Sequence, residues 1–141
     1  MRAITVILAT LIPSMANAKP STQGCPSGSY TVFFDAGSSA LTSGAKTILD
    51  NAAAAYKYCD RATVIMNGHT DRFGSDEGNK KLSGEMALST AEYLVGHGIP
   101  ADRFAISALG ETEPVFETPD GVAEAMNRRV EFVFRFLPAN P

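Results

Sequence analysis

The residue types able to do chemistry gather in three places. These are Gly68-His69-Thr70-Asp71, Asn79 with Leu82-Ser83, and Asn127-Arg128-Arg129-Val130-Glu131. His69, Asp71 and nearby Ser75 are residue types that hydrolases use. Here they fall within one loop, and no nucleophile elbow or oxyanion signature accompanies them, so an enzyme is not expected. The other histidine, His97, falls at the far end of the second helix, so His69 and Asp71 lack further metal ligands. No metal and no cofactor is expected. Taken alone, Asp71 reads as a helix cap or an acceptor for loop amides. Arg128 and Arg129 read alone as a solvated pair at a strand start, with Arg129 the better candidate for a purely structural role.

The elements that must position these residues are legible from periodicity. Tyr30 to Phe34 (YTVFF) is β-branched and aromatic and predicts a first strand, broken by Asp35-Ala36-Gly37. Thr42 can cap a helix running to about Tyr58, with Ile48, Leu49, Ala52, Ala53, Tyr56 and Cys59 on one stripe. Ala62 to Asn67 predicts a second strand ended by Gly68, and His69 to Gly78 a polar loop. A second helix is expected from about Asn79 to Val95, burying Leu82, Ala87, Ala91, Leu94 and Val95 before Gly96, Gly98 and Pro100 stop it. Phe104 to Leu109 predicts a third strand. A long loop follows from Gly110 to about Gly121, with one helical turn through Val122 to Met126. In Arg129 to Phe136, Val130, Phe132, Phe134 and Phe136 alternate with Arg129, Glu131, Val133 and Arg135, giving one core face and one face toward water. The order β-α-β-α-β-β predicts an α+β sandwich, with one mixed four-stranded sheet and two helices packed on one face.

Composition sets the frame. The chain has 141 residues, 45% hydrophobic and 19% charged, which suits one globular domain and excludes disorder, collagen and coiled coil for the whole. A net charge of -3 gives no general nucleic-acid surface, and no apolar run reaches the length of a membrane-spanning helix. Met1-Arg2, the apolar run Ala3 to Met15, and Ala16-Asn17-Ala18 form the pattern of a cleavable export signal over residues 1–18. Thr22-Gln23-Gly24 ahead of Cys25 is not a lipid-attachment pattern, so an exported, periplasmic protein beginning at Lys19 is expected. Residues 19–29 form an irregular lead-in, 30–137 the domain, and 138–141 a tail. In an oxidising compartment the two cysteines, Cys25 and Cys59, are most simply one disulfide.

Four ordered motifs, GHTDRFG, NKKLSGEMA, GETEP and NRRVE, stand at family-like spacing. With VFFDAGSSAL they make the chain, from about Tyr30 to Phe136, resemble the OmpA-like (OmpA/MotB C-terminal) peptidoglycan-associated domain. The resemblance implies noncovalent binding of the diaminopimelate-containing stem peptide of peptidoglycan, in the periplasm and in association with the outer membrane or cell wall. A carboxylate suits that ligand's ammonium group, and guanidinium suits its carboxylates. Matched by motif, Asp71 receives the ammonium, Asn79 bonds the ligand or orders the loop, and Arg128 lines the rim and holds a carboxylate. Thr70 and Asp35 flank the pocket, and His69 supports the turn.

One position departs from the pattern. The family carries an arginine after L-S-x-x, where this chain has Met86. A thioether cannot pair with a carboxylate. Losing a charge-assisted bond of about 1.5–3 kcal/mol weakens binding roughly tenfold to a hundredfold. Glu85 adds charge of the wrong sign, and Arg72, Lys80 or Lys81 are the cations near enough in sequence to compensate. The ligand expectation therefore covers an altered stem peptide with an amidated carboxylate. The alternative is a structural or protein-interaction module of the envelope, with a protein partner in place of the stem peptide.

Overall fold

The computed structural model describes residues 24–137. The expected signal over 1–18, the first part of the lead-in and the 138–141 tail lie outside them. The strands are β1 (Tyr30–Phe33), β2 (Thr63–His69), β3 (Phe104–Ala108) and β4 (Arg129–Arg135), and the helices are α1 (Ser43–Tyr56) and α2 (Asp76–Gly96). The sheet order is β1-β4-β2-β3. β4 runs antiparallel to both its neighbours, while β2 and β3 are parallel, joined through α2. This is the expected mixed sheet with both helices on one face. The inward residues Val32, Val64, Met66, Val130, Phe132 and Phe134 meet Leu49, Ala52 and Tyr56 of α1 and Met86, Ala87 and Leu94 of α2 in one core.

The two helices start as their caps dictate. The Thr42 hydroxyl accepts the Ala45 amide ahead of α1, and the Ser75 hydroxyl accepts the Gly78 amide ahead of α2. Asp76 and Glu77 in the first turn of α2 suit its positive end. The expected start at Asn79 is thus three residues late, because Ser75 rather than the loop sequence sets it.

Gly68 does not end β2. It sits within the strand, opposite Ala108 of β3 and Val130 of β4. A Cβ at this position would overlap the Ser83 carbonyl of α2. The helix backbone therefore rests directly on the strand. This close approach explains the character of the buried α2 stripe, which is Asn79, Ser83, Met86, Ala87, Thr90, Ala91 and Leu94. Small and polar side chains fit where helix and sheet backbones nearly touch. Ala87, Ala91 and Leu94 are buried as expected, while Leu82 is only half-buried and Val95 is exposed, both at the edges of the stripe. Phe136 falls beyond the end of β4 and is also exposed.

Other boundaries shift by one to three residues. α1 ends at Tyr56, followed by turns at Tyr58 and Cys59 that bond back to Ala55 and Tyr56 carbonyls. The helical turn expected over 122–126 is a 3-10 turn over Ala125–Asn127, where the Glu124 carboxylate accepts the Met126 amide.

Cys25 and Cys59 are disulfide-bonded, with a sequence separation of 34. Cys59 is fully buried just past α1, so the bridge clamps the lead-in over the helix end. Breaking it in a Cys25→Ser/Cys59→Ser chain is expected to cost up to about 3.5–4 kcal/mol in denaturant titration, the chain-entropy value for a loop of this size. Gly68→Ala is expected to cost at least ~2 kcal/mol by overpacking, read as a fall in Tm. Gly96→Ala, where a Cβ meets nothing within 4 Å, is the control and should be neutral or stabilising by up to about 1 kcal/mol.

Candidate functional site

The end of β2 runs into Thr70–Ser75 and then α2, placing Asp71 beside the start of β4. Its Oδ1 accepts the Phe73 amide at 3.2 Å. Its Oδ2 accepts the Glu124 amide at 3.2 Å and Arg128 Nη1 at 2.9 Å. The pair is shielded: the Asp71 side chain is 8% exposed and that of Arg128 16%. Arg128 Nε donates to the Phe34 carbonyl at 3.1 Å, and the Phe34 amide donates to the Arg128 carbonyl. One guanidinium thus joins the end of β1 to the loop after β2. Arg128 also lines an open cleft of about 340 Å³ with Phe33, Phe34, Asp35, Thr42, Ala125 and Met126.

Asn79 stands on the first turn of α2, buried, with its amide group aimed back at the loop. Nδ2 donates to the Asp71 carbonyl at 3.2 Å and to Glu111 Oε1 at 3.3 Å. Glu111 Oε2 accepts Arg72 Nε at 3.2 Å, and Arg72 Nη1 donates to the Thr118 carbonyl at 2.9 Å. The Gly110 amide donates to the Ser83 hydroxyl, and the Thr70 amide to the Gly110 carbonyl. Gly110 has φ +56, and a Cβ there would crowd the Lys80 backbone, so glycine suits this crossing on both counts.

The start of β4 fastens the loop over residues 110–121. Asn127 Oδ1 accepts the Val115 and Phe116 amides, and its Nδ2 donates to the Phe116 carbonyl. Arg129, on the face expected to meet water, is buried there because the loop covers that end of the sheet. Nε donates to Glu131 Oε1 at 2.7 Å, and Nη2 and Nη1 donate to the Glu113 and Asn127 carbonyls. His69 lies beside it in register, also buried. Its Nε2 is 3.8 Å from Glu131, and neither ring nitrogen has a hydrogen-bond partner among the described residues. His69 therefore fills space under the loop as a packed, unbonded ring. Burial holds its pKa below the usual 6.5, the Arg129 charge adds to that, and Glu131 and Glu113 offset it in part.

Asp71, Asn79 and Arg128 come together, while the others spread out. Asp35 is exposed on the Arg128 cleft. Thr70 is buried, and its hydroxyl has no partner among the described residues. Met86 is 1% exposed in the core and lies outside the lining of that cleft. Two residues of consequence stand in the motifs but were given no role by the sequence. Glu111, within GETEP, joins Arg72 to Asn79. Asn127, the first residue of NRRVE, holds the loop.

A mixed sheet with its last strand inserted between the first two, and two helices on one face, is the architecture of OmpA-like domains. The chain belongs to the OmpA family, whose profile matches residues 33–128. The peptidoglycan-binding protein ArfA of Mycobacterium bovis is 42% identical over 88 residues, 61% of this chain and 26% of ArfA. Outer membrane protein A of Bordetella avium is 35% identical over 99 residues, 70% of this chain and 51% of that protein. The chain thus spans about a quarter to a half of the length of these curated relatives. Among solved structures, the peptidoglycan-associated lipoprotein of Burkholderia pseudomallei superimposes with TM-score 0.68 at 26% identity, covering 74% of this chain and 89% of that one. The OmpA-like domain of FopA1 from Francisella tularensis shares the fold, with TM-score 0.67 at 17% identity over 76% and 73% of the two chains.

The buried His69 gives a pH dependence of stability. With the folded-state pKa below 6.5, the unfolded chain binds the proton first as pH falls, so stability declines below about pH 6.5. The Tm of the wild type is expected to fall more steeply from pH 7.5 to pH 5 than that of His69→Gln. Parallel curves would mean that His69 does not contribute.

Proposed function

We propose that this domain binds peptidoglycan noncovalently in the cell envelope, through the diaminopimelate-type end of the stem peptide. The observation that carries the reading is the Asp71–Arg128 pair beside an open cleft. Opposite charges held a few ångströms apart suit a ligand that carries an ammonium and a carboxylate on one carbon. Asp71, aided by exposed Asp35, takes the ammonium. Arg128 turns part of its guanidinium to the carboxylate, and Asn79 fixes the loop that presents Asp71. Thr70 contributes its backbone to the same loop. The names of the relatives, a peptidoglycan-binding protein and a peptidoglycan-associated lipoprotein, support the same reading. Binding rather than catalysis is the activity of such a site.

Met86 supplies no cation, and its burial means that an arginine in its place would need either a buried guanidinium or a looser helix contact. Met86→Arg is therefore a test of packing as much as of binding. The disulfide suits an oxidising compartment such as the periplasm. Among the described residues no helix is long and apolar enough to cross a membrane. The alternative of a protein-interaction module draws on the exposed Phe73, Val115, Phe116, Val122 and Met126 around the loops. Met86 adds nothing to that surface.

The test is co-sedimentation with diaminopimelate-type sacculi at fixed salt. Wild type should pellet, and Asp71→Asn, checked for folding by its Tm, should bind at least tenfold more weakly. Wild type remaining in the supernatant, beside a family member that pellets, would overturn the reading in favour of a protein partner.

A further inference from the structure

A second cleft lies against the same Asp71 segment. Arg72, Asp76, Lys80, Gly110, Glu111 and Glu117 are among its lining, and its volume is about 400 Å³. Like the Arg128 cleft, which has Asp35 beside Arg128, it holds charges of both signs. Glu111, whose side chain is only 9% exposed, already has its partners in Arg72 Nε and Asn79 Nδ2. Its charge is therefore committed to the wall. Arg72 uses Nε on Glu111 and Nη1 on the Thr118 carbonyl, and Nη2 takes part in neither contact. Lys80, Asp76 and Glu117 are exposed. What the cleft offers a ligand is thus two cations, Lys80 and the outer edge of Arg72, with the exposed acids Asp76 and Glu117 in the same lining. The close approach of Gly110 to the Lys80 backbone, with the Gly110 amide held by Ser83, fixes the base of the Lys80 side chain in the cleft wall.

We infer that this cleft is a second subsite for the same ligand, taking another amino-acid-like centre whose carboxylate pairs with Lys80 and Arg72. It rests on the peptidoglycan reading and deepens it. Arg128, the partner of Asp71, lines one cleft and Arg72, the next residue after Asp71, lines the other, so one branched peptide with two charged centres can engage both. The carboxylate contact that Met86 cannot make is supplied here from outside the core.

The experiment is calorimetric or NMR titration of the folded domain with N-acetylmuramyl tripeptide ending in diaminopimelate, and with the same compound with its carboxylates amidated. Wild type is expected to prefer the free acid at least tenfold. Lys80→Glu, an exposed change that disturbs no packing, is expected to reduce that preference to threefold or less, while Arg128→Gln, which removes the other carboxylate contact, weakens the free acid most. Arg72→Gln, checked for folding by Tm, should act in the same direction as Lys80→Glu. If Lys80→Glu and Arg72→Gln keep the wild-type preference while Asp71→Asn still abolishes binding, the subsite is wrong and the Asp71–Arg128 reading stands. If wild type binds neither compound, both fail together.

Discussion

The contact of α2 with β2 at Gly68 governs the rest of the molecule. With no Cβ in the way, the Ser83 carbonyl rests on the strand, and helix and sheet sit closer than ordinary side chains allow. That spacing brings the Ser83 hydroxyl to the Gly110 amide and the Asn79 amide group to both Asp71 and Glu111. Two loops, one after β2 and one after β3, are thereby fastened to a single helix. A side chain at position 68 would lift α2 and release all of these bonds at once.

The Asp71–Arg128 pair works under a different constraint. Two charges in a shielded place cost desolvation, and they are stable there because each has further partners. Asp71 has two loop amides, and Arg128 has the Phe34 carbonyl. Removing either partner leaves the other charge in surroundings built for a pair, so a neutral substitution affects folding as well as recognition. A ligand ammonium arriving at Asp71 meets a carboxylate already oriented by the backbone, and only the guanidinium has to redistribute its bonds.

Much of this was legible in the residues. The alternation of β4, the apolar stripe of α1 and the cap at Thr42 are local signals, and they place the elements within a few residues, whereas the cap at Ser75 goes unread and the expected start of α2 falls three residues late. Asp71, Asn79 and Arg128 were legible through motif spacing. What escaped was set by tertiary approach. Gly68 reads as a strand end because glycine usually interrupts, and only the helix lying on it shows why the strand continues. Arg129 and His69 read as a water-facing arginine and a turn histidine, since strand alternation does not tell that the loop over residues 110–121 folds back over that end of the sheet. Met86 reads as a missing site residue, and it is buried on the α2 stripe between Ser83 and Thr90, against the sheet. Glu111 has no periodic signal at all, and its role exists only through the two side chains it joins.

The strand order carries a consequence for the way the chain acquires its structure. β1 pairs in the sheet only with β4, whose Phe132 stands opposite Tyr30. A strand formed early therefore has no neighbour until the final segment is available, and such long-range pairing slows folding because loop closure precedes its reward. The Cys25–Cys59 bridge joins two positions in the first half of the chain. Oxidation can hold the lead-in of β1 against the end of α1 before β4 is available, giving the waiting strand a covalent anchor during the slowest stage of assembly.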